Sequence, residues 1–181
     1  EAVGTVYRKN VMTGYPNGTF SGARNISRAE SVVALSRGLA QYSSDNTYTE
    51  AGTYGTDSMT TISGSVLVKS SGVTLQNMTI IGDLTLEREV ADGDVTLKNV
   101  IIKGTATFYG GGSNSVYLSD VIAPKIIVVK DSGTLRMVLS GNSYIDQINA
   151  RSDLILEERN LSGSGADIVV AESGQYSTVD V

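Results

Sequence analysis

Apolar and polar residues alternate in short runs through most of the chain after residue 60, as in Val66-Leu67-Val68, Val73-Thr74-Leu75, Leu84-Thr85-Leu86 and Val95-Thr96-Leu97. A period of two predicts strands with one buried face, and the Gly, Asp and Asn residues between the runs predict turns. The runs themselves recur. Val73-Thr74-Leu75-Gln76-Asn77-Met78-Thr79-Ile80-Ile81-Gly82 returns as Val95-Thr96-Leu97-Lys98-Asn99-Val100-Ile101-Ile102-Lys103-Gly104 after a shift of 22 residues, and Val116-Tyr117-Leu118-Ser119-Asp120-Val121-Ile122-Ala123 follows 21 residues later. Each copy is followed by a second run: Leu84-Thr85-Leu86, Ala106-Thr107-Phe108 and Ile126-Ile127-Val128-Val129. Weaker copies continue through Thr134–Leu139, Tyr144–Ile148, Asp153–Leu156 and Ile168–Val170.

A period near 20 with two or three short strands per repeat matches one coil of a solenoid. The Thr- and Val-rich return segments argue against a leucine-rich repeat, which needs a fixed leucine framework. The expected fold is therefore mainly β: a short right-handed parallel β-helix of about five coils over residues 61–181. Asn77, Asn99 and Asp120 fall at the same repeat position, where stacked side-chain amides form a ladder along a solenoid and satisfy turn groups. This predicts a structural role for all three.

The amino-terminal part follows another pattern. Ser27 precedes a helical run and Glu30 lies three residues on, the arrangement of a capping box. Ala29, Val32, Val33, Leu35, Leu39 and Ala40 then recur at three- and four-residue spacing, which predicts a helix from Ser27 to about Gln41 with one apolar face. Val3, Val6 and Tyr7 suggest the end of an earlier helix, and Tyr15-Pro16-Asn17-Gly18 has strong turn chemistry. A small helical hairpin is expected over 1–42, with 43–60 as a polar junction.

Val11-Met12-Thr13-Gly14-Tyr15-Pro16-Asn17-Gly18-Thr19-Phe20, followed by Ile26-Ser27-Arg28-Ala29-Glu30, resembles the S-layer homology motif of bacterial surface proteins. The usual form of that motif carries Asp and Thr where this chain has Asn17 and Ser27. The resemblance covers residues 1–42 and implies a glycan contact through Arg28, Gly14 and Tyr15, with a secondary cell-wall polysaccharide bearing acidic groups as partner. Segments such as Gly82-Asp83-Leu84-Thr85-Leu86 and Gly93-Asp94-Val95-Thr96-Leu97-Lys98-Asn99-Val100 are similar to a β-helical region found beside such motifs. The localisation implied is extracellular, at a bacterial cell surface or S-layer.

Composition narrows the chemistry. The 181 residues contain no Cys and no His, which removes thiolate nucleophiles, imidazole bases and the usual zinc and haem ligands; no metal and no cofactor is expected. With 14 basic against 19 acidic residues the net charge is −5, a poor footprint for nucleic acid. No apolar run approaches the roughly 18 residues of a membrane span. The first residues lack the regions of a signal peptide, so an exported form is expected to be a mature or trimmed chain.

Parallel β-helices also scaffold polysaccharide-cleaving enzymes, which place acids and a base on adjacent coils. The candidates for that role are Asp83, Asp92 and Asp94 with Lys98, Lys103 and Lys125. Tyr15, Tyr109, Tyr117 and Tyr144 are candidate sugar platforms. Asp and Gly are ordinary turn residues, however, and a rod of about five coils at ~4.8 Å per strand has few subsites. The leading expectation is a non-enzymatic extracellular structural module that self-associates into a filament or lattice. A cell-wall polysaccharide-binding anchor is the alternative, and a lyase or hydrolase comes third. A β-helix exposes unpaired backbone at each end. The helical region is expected to cover one end, while Tyr176–Val181 reads as a further strand at the other, where either the natural protein continues or this end docks on another copy.

Overall fold

Alternation along each strand decides which side of the backbone is buried, and here it buries a single continuous core. In the computed structural model, which describes residues 12, 15, 25, 27–114 and 116–171, two units are separate. One ends at Asp45 and the other begins at Asn46. Helix α1 (Arg28–Asp45) is the described element of the first. It runs past the expected end at Gln41, because no Gly or Pro lies between Ala40 and Asp45 to stop it. The earlier helix of the expected hairpin, the loop glycines and Tyr176–Val181 lie outside the described residues. On α1 the apolar residues Val32, Val33 and Leu35 are exposed.

The second unit is a parallel β-solenoid. Its strands are β1 (Thr47–Tyr48), β2 (Gly52–Tyr54), β3 (Thr60–Ile62), β4 (Val66–Val68), β5 (Val73–Ile80), β6 (Leu84–Leu86), β7 (Val95–Ile102), β8 (Thr105–Phe108), β9 (Val116–Val128), β10 (Leu135–Gly141), β11 (Tyr144–Ala150), β12 (Leu154–Leu161) and β13 (Gly165–Ala171). Among the described residues the strand pairings are parallel, and each strand stacks on the equivalent strand one turn away. The ladder Val73↔Val95↔Val116↔Met137 reproduces the repeat read from the sequence. Three faces result. Face A holds β1, β4, β6, β8 and the second halves of β9, β11 and β13; face B holds β2, the first halves of β5, β7 and β9, then β10 and β12; face C holds β3, the second halves of β5 and β7, the middle of β9 around Ile122, and the first halves of β11 and β13.

The solenoid has about six turns rather than the five expected. The extra turn comes from within 43–60, the span expected as a junction: Thr47 pairs with Leu67 and Gly52–Tyr54 pair with Val73–Leu75. Its inward positions include Asn46, Tyr48 and Tyr54 rather than aliphatic residues, so the alternation was invisible. The Tyr48 and Tyr54 rings lie 4.4 Å apart and close the core at this end, and burial pushes the Tyr48 phenol up from its ordinary pKa.

Inward columns such as Val66/Leu84/Ala106/Ile126/Ile148 and Leu75/Leu97/Leu118/Leu139 are fully buried. The corner between faces B and C is a single residue in the left-handed region. Asn77, Asn99, Asp120 and Gly141 occupy it in successive turns, with φ of 50°, 53°, 57° and 62°. Asn and Asp tolerate that conformation better than other side-chain-bearing residues, which accounts for their recurrence. The ladder slips by one residue at Ser140/Gly141, and Asn160 takes up the positive φ in the last turn.

Candidate functional sites at the helix start and along the solenoid

At the start of α1 the capping pair closes on itself. The Ser27 amide donates to Glu30 Oε2 at 2.8 Å and the Glu30 amide donates to Ser27 Oγ at 3.2 Å. The remaining oxygen, Glu30 Oε1, accepts from the Tyr15 hydroxyl at 3.2 Å, so one carboxylate ties the loop tyrosine to the helix start. The Ser27–Glu30 spacing predicts the capping bonds, whereas this second bond from Tyr15 has no signal in that spacing. Arg28 stands exposed at the first helical position, one residue after the cap, where a cationic side chain and free helix amides both suit an anionic group. Gly14 is outside the described residues. Ser27→Ala is expected to cost about 1 kcal/mol of helix stability, read as lost helical circular dichroism on mild heating.

On the solenoid, Asn99 Nδ2 donates to Asn77 Oδ1 at 2.8 Å, and Asn77 Nδ2 donates to the Thr56 carbonyl at 2.7 Å in the first turn. Asp120 Oδ1 accepts the Asn142 amide at 2.9 Å one turn further on. The neighbouring Ser143, fully buried and not singled out from the sequence, receives the Val121 amide at 3.1 Å. These bonds run along the solenoid axis and consume turn groups. Asn99→Ala removes both a ladder bond and a residue suited to positive φ. It is expected to lower stability by about 2 kcal/mol in urea unfolding, and Asn99→Gly by less.

The acidic and basic candidates for catalysis are not brought together. Asp83 follows Gly82 at the corner between faces C and A, where its carboxylate accepts the Thr105 amide at 2.8 Å. Asp92 and Asp94 lie at the corner between faces A and B, and Asp92 Oδ1 is 2.6 Å from Lys130 Nζ. Lys98 is on face B beside Gln76 and Ser119, whereas Lys125 is on face A beside Thr105 and Gln147. Lys103 follows the end of β7. Among the described residues no three acidic side chains are grouped to hold a metal ion. The tyrosines are likewise dispersed. Tyr109 lies beneath the Arg88 guanidinium, 4.7 Å from its ring centroid; Tyr117 stands on face B; Tyr144 is on face C, its hydroxyl pKa raised by a hydrogen bond with Asp146.

Hydrogen bonds from Lys130 and Arg88, then their charges, hold the Asp92 and Asp131 carboxyls below the usual carboxylate range. Both groups are depressed relative to the unfolded chain, so their contribution is fully present above the unfolded value near pH 4 and is lost as pH falls through the lower folded values. Acid titration followed by circular dichroism is expected to show stability level from about pH 7 to 5 and falling below about 4. The fall is expected to be shallower in D92N/D131N.

Fold and surface together define a parallel β-solenoid protein with an independent helical segment at its amino end. Residues 1–30 match the S-layer homology domain, a match that ends at Glu30 of the capping pair. Such domains are typical of bacterial cell-surface and S-layer proteins, serve as non-catalytic anchoring modules and bind cell-wall polysaccharide. No curated protein and no solved structure matches the chain. No described helix is long and apolar enough to cross a membrane.

Proposed function

We propose that the chain is a non-enzymatic structural module of a bacterial surface protein, in which an S-layer-homology-like segment attaches to the wall and the solenoid stacks end to end with further copies. The observation that carries this reading is the S-layer homology match over residues 1–30 in a chain that continues, after α1, into a regularly stacked solenoid from Asn46. Attachment is tested by pelleting the purified chain with bacterial wall sacculi that retain their secondary polysaccharide. Co-pelleting is expected, with Arg28→Ala and Tyr15→Ala each reducing the bound fraction about tenfold, the loss of one charge-assisted or aromatic contact. A chain that stays in the supernatant contradicts attachment.

Stacking is supported by the two ends of the solenoid. β12 and β13 each have a partner strand on one side only among the described residues, as do β1, β2 and β3 at the other end. Val169 continues the column of Ile126 and Ile148, both fully buried, yet is 36% exposed, with Ile168 and Val170 exposed beside it. Unpaired edges accept further strands, and a heterologous end-to-end contact extends into a filament.

The second reading is a cell-wall polysaccharide-binding anchor acting through Arg28, Gly14 and Tyr15, favoured by the bond that ties Tyr15 to Glu30, two residues after the exposed Arg28. It differs in needing no association between copies. A polysaccharide lyase or hydrolase is disfavoured by the distance between the Asp83 corner and the Asp92/Asp94 corner. Release of new reducing or unsaturated ends from acidic polysaccharides would revive it.

A further inference from the structure

The run Gly110-Gly111-Gly112 forms the corner between faces A and B in the fourth turn, between β8 and β9. A Cβ on Gly110 would run into the carbonyl oxygen of Glu87, and one on Gly112 into that of Asp92, both in the third turn. Gly111 has φ 115°, outside the range of L side chains. The corner is therefore flat against the turn below and puts no side chain in the way of the turns on either side.

Two links cross it. Arg88, from the third turn, places Nε 2.7 Å from Asp131 Oδ2 and Nη2 3.2 Å from Asp131 Oδ1 in the fifth turn, with the fourth-turn Tyr109 ring under its guanidinium. Lys130, from the fifth turn, reaches the other way: Nζ is 2.6 Å from Asp92 Oδ1 in the third turn and 2.7 Å from the Gly111 carbonyl in the fourth. Its side chain is 5% exposed, so the ammonium depends on those partners rather than on water. The two ion pairs have opposite polarity, and each touches the fourth turn on the way across.

We infer that this corner is a clamp that makes the third, fourth and fifth turns open as one block. Turns of a solenoid contact their nearest neighbours, so such structures ordinarily loosen turn by turn from their ends. A link that skips one turn cannot be broken by releasing an end turn alone; it gives way when the fifth turn leaves the third, and the fourth turn is held between them. For a surface module the consequence is a middle segment that resists stepwise unzipping under load or proteolysis. This holds whether or not copies stack.

Native-state hydrogen exchange on the full chain tests the inference. In the unaltered chain the strand amides around Leu97, Leu118 and Leu139 are expected to exchange at one common slow rate, with those of the first and last turns faster. The D92N/D131N variant alters two exposed carboxylates, 85% and 69% exposed, and leaves the packing intact. Exchange in the middle turns is expected to become at least about tenfold faster, the scale of one hydrogen bond lost by a buried charge, and the three rates to separate. Asp131→Arg alone is expected to do likewise, and R88D/D131R, which restores an ion pair with its polarity reversed, to bring the rates back toward one value. A smooth gradient of rates through these turns in the unaltered chain, or unchanged rates in D92N/D131N, overturns the clamp.

Discussion

Phe108→Ala is expected to lower the stability of the solenoid by about 3–5 kcal/mol, the largest effect of any single truncation considered. Phe108 heads the fully buried side chains by volume, in the inward column Val68/Leu86/Phe108/Val128/Ala150. Its strand is hydrogen-bonded to β6 on one side and β9 on the other, which fixes the backbone on both flanks and prevents collapse into the space left behind. Ala106, two residues earlier on the same strand, and Ala150, two turns along the column, are small residues whose presence suits a large neighbour. Urea unfolding is the check: the midpoint should drop with little change of slope. A loss under about 1 kcal/mol would mean that the core is not packed as described.

Gly112→Ala is expected to cost about 2–3 kcal/mol by a different route, overpacking rather than a void. The added methyl group would meet the Asp92 backbone carbonyl, which cannot swing aside as a side chain does, so the third and fourth turns must part. Gly133→Ala is the matched comparison. It has a positive φ, 76°, which Gly112 does not, but opens onto space with only the Lys130 ammonium nearby, and should cost only the ~1 kcal/mol of conformational strain. Equal losses at the two positions would contradict the close approach at Gly112, and with it the flat corner on which the clamp depends.

The repeat was legible because each turn aligns an aliphatic residue with an aliphatic residue. The 22-residue shift from Val73 to Val95 is the pairing register itself, and Asn77, Asn99 and Asp120 fall on one corner because only a few residue types accept its φ. The first turn was not legible. An end turn has a neighbour on one side, so Asn46, Tyr48 and Tyr54 close it with polar edges instead of continuing the aliphatic columns. The clamp was hidden for another reason. Arg88 and Asp131 are 43 residues apart and Asp92 and Lys130 are 38, about two turns in each case, whereas comparison of adjacent repeats aligns only one turn with the next. The glycine run was the only outward sign of it. At the helix start the Ser27–Glu30 pair could be read from spacing, but the bond from Tyr15 depends on how the preceding loop folds back, which no local pattern encodes.

Acidic residues mark the limit of reading function from composition. Asp83, Asp92 and Asp94 are close in sequence and suggested a shared site, yet a solenoid turn of about 20 residues passes three corners, and a few residues move a side chain from one corner to another. Asp83 accepts the Thr105 amide of the next turn, and Asp92 pairs with Lys130 two turns on. What recurs from turn to turn is support for the stack.

The central claim, that this solenoid is a building unit which stacks end to end, is tested most directly by light scattering over a range of concentrations with negative-stain electron microscopy of the same samples. Six turns at ~4.8 Å make each solenoid roughly 29 Å long. Mass rising with concentration is expected, with filaments or ordered sheets, and Val169→Asp in the exposed last rung should keep the chain single. A chain that remains monomeric at high concentration, with uniform small particles on the grid, would contradict the claim.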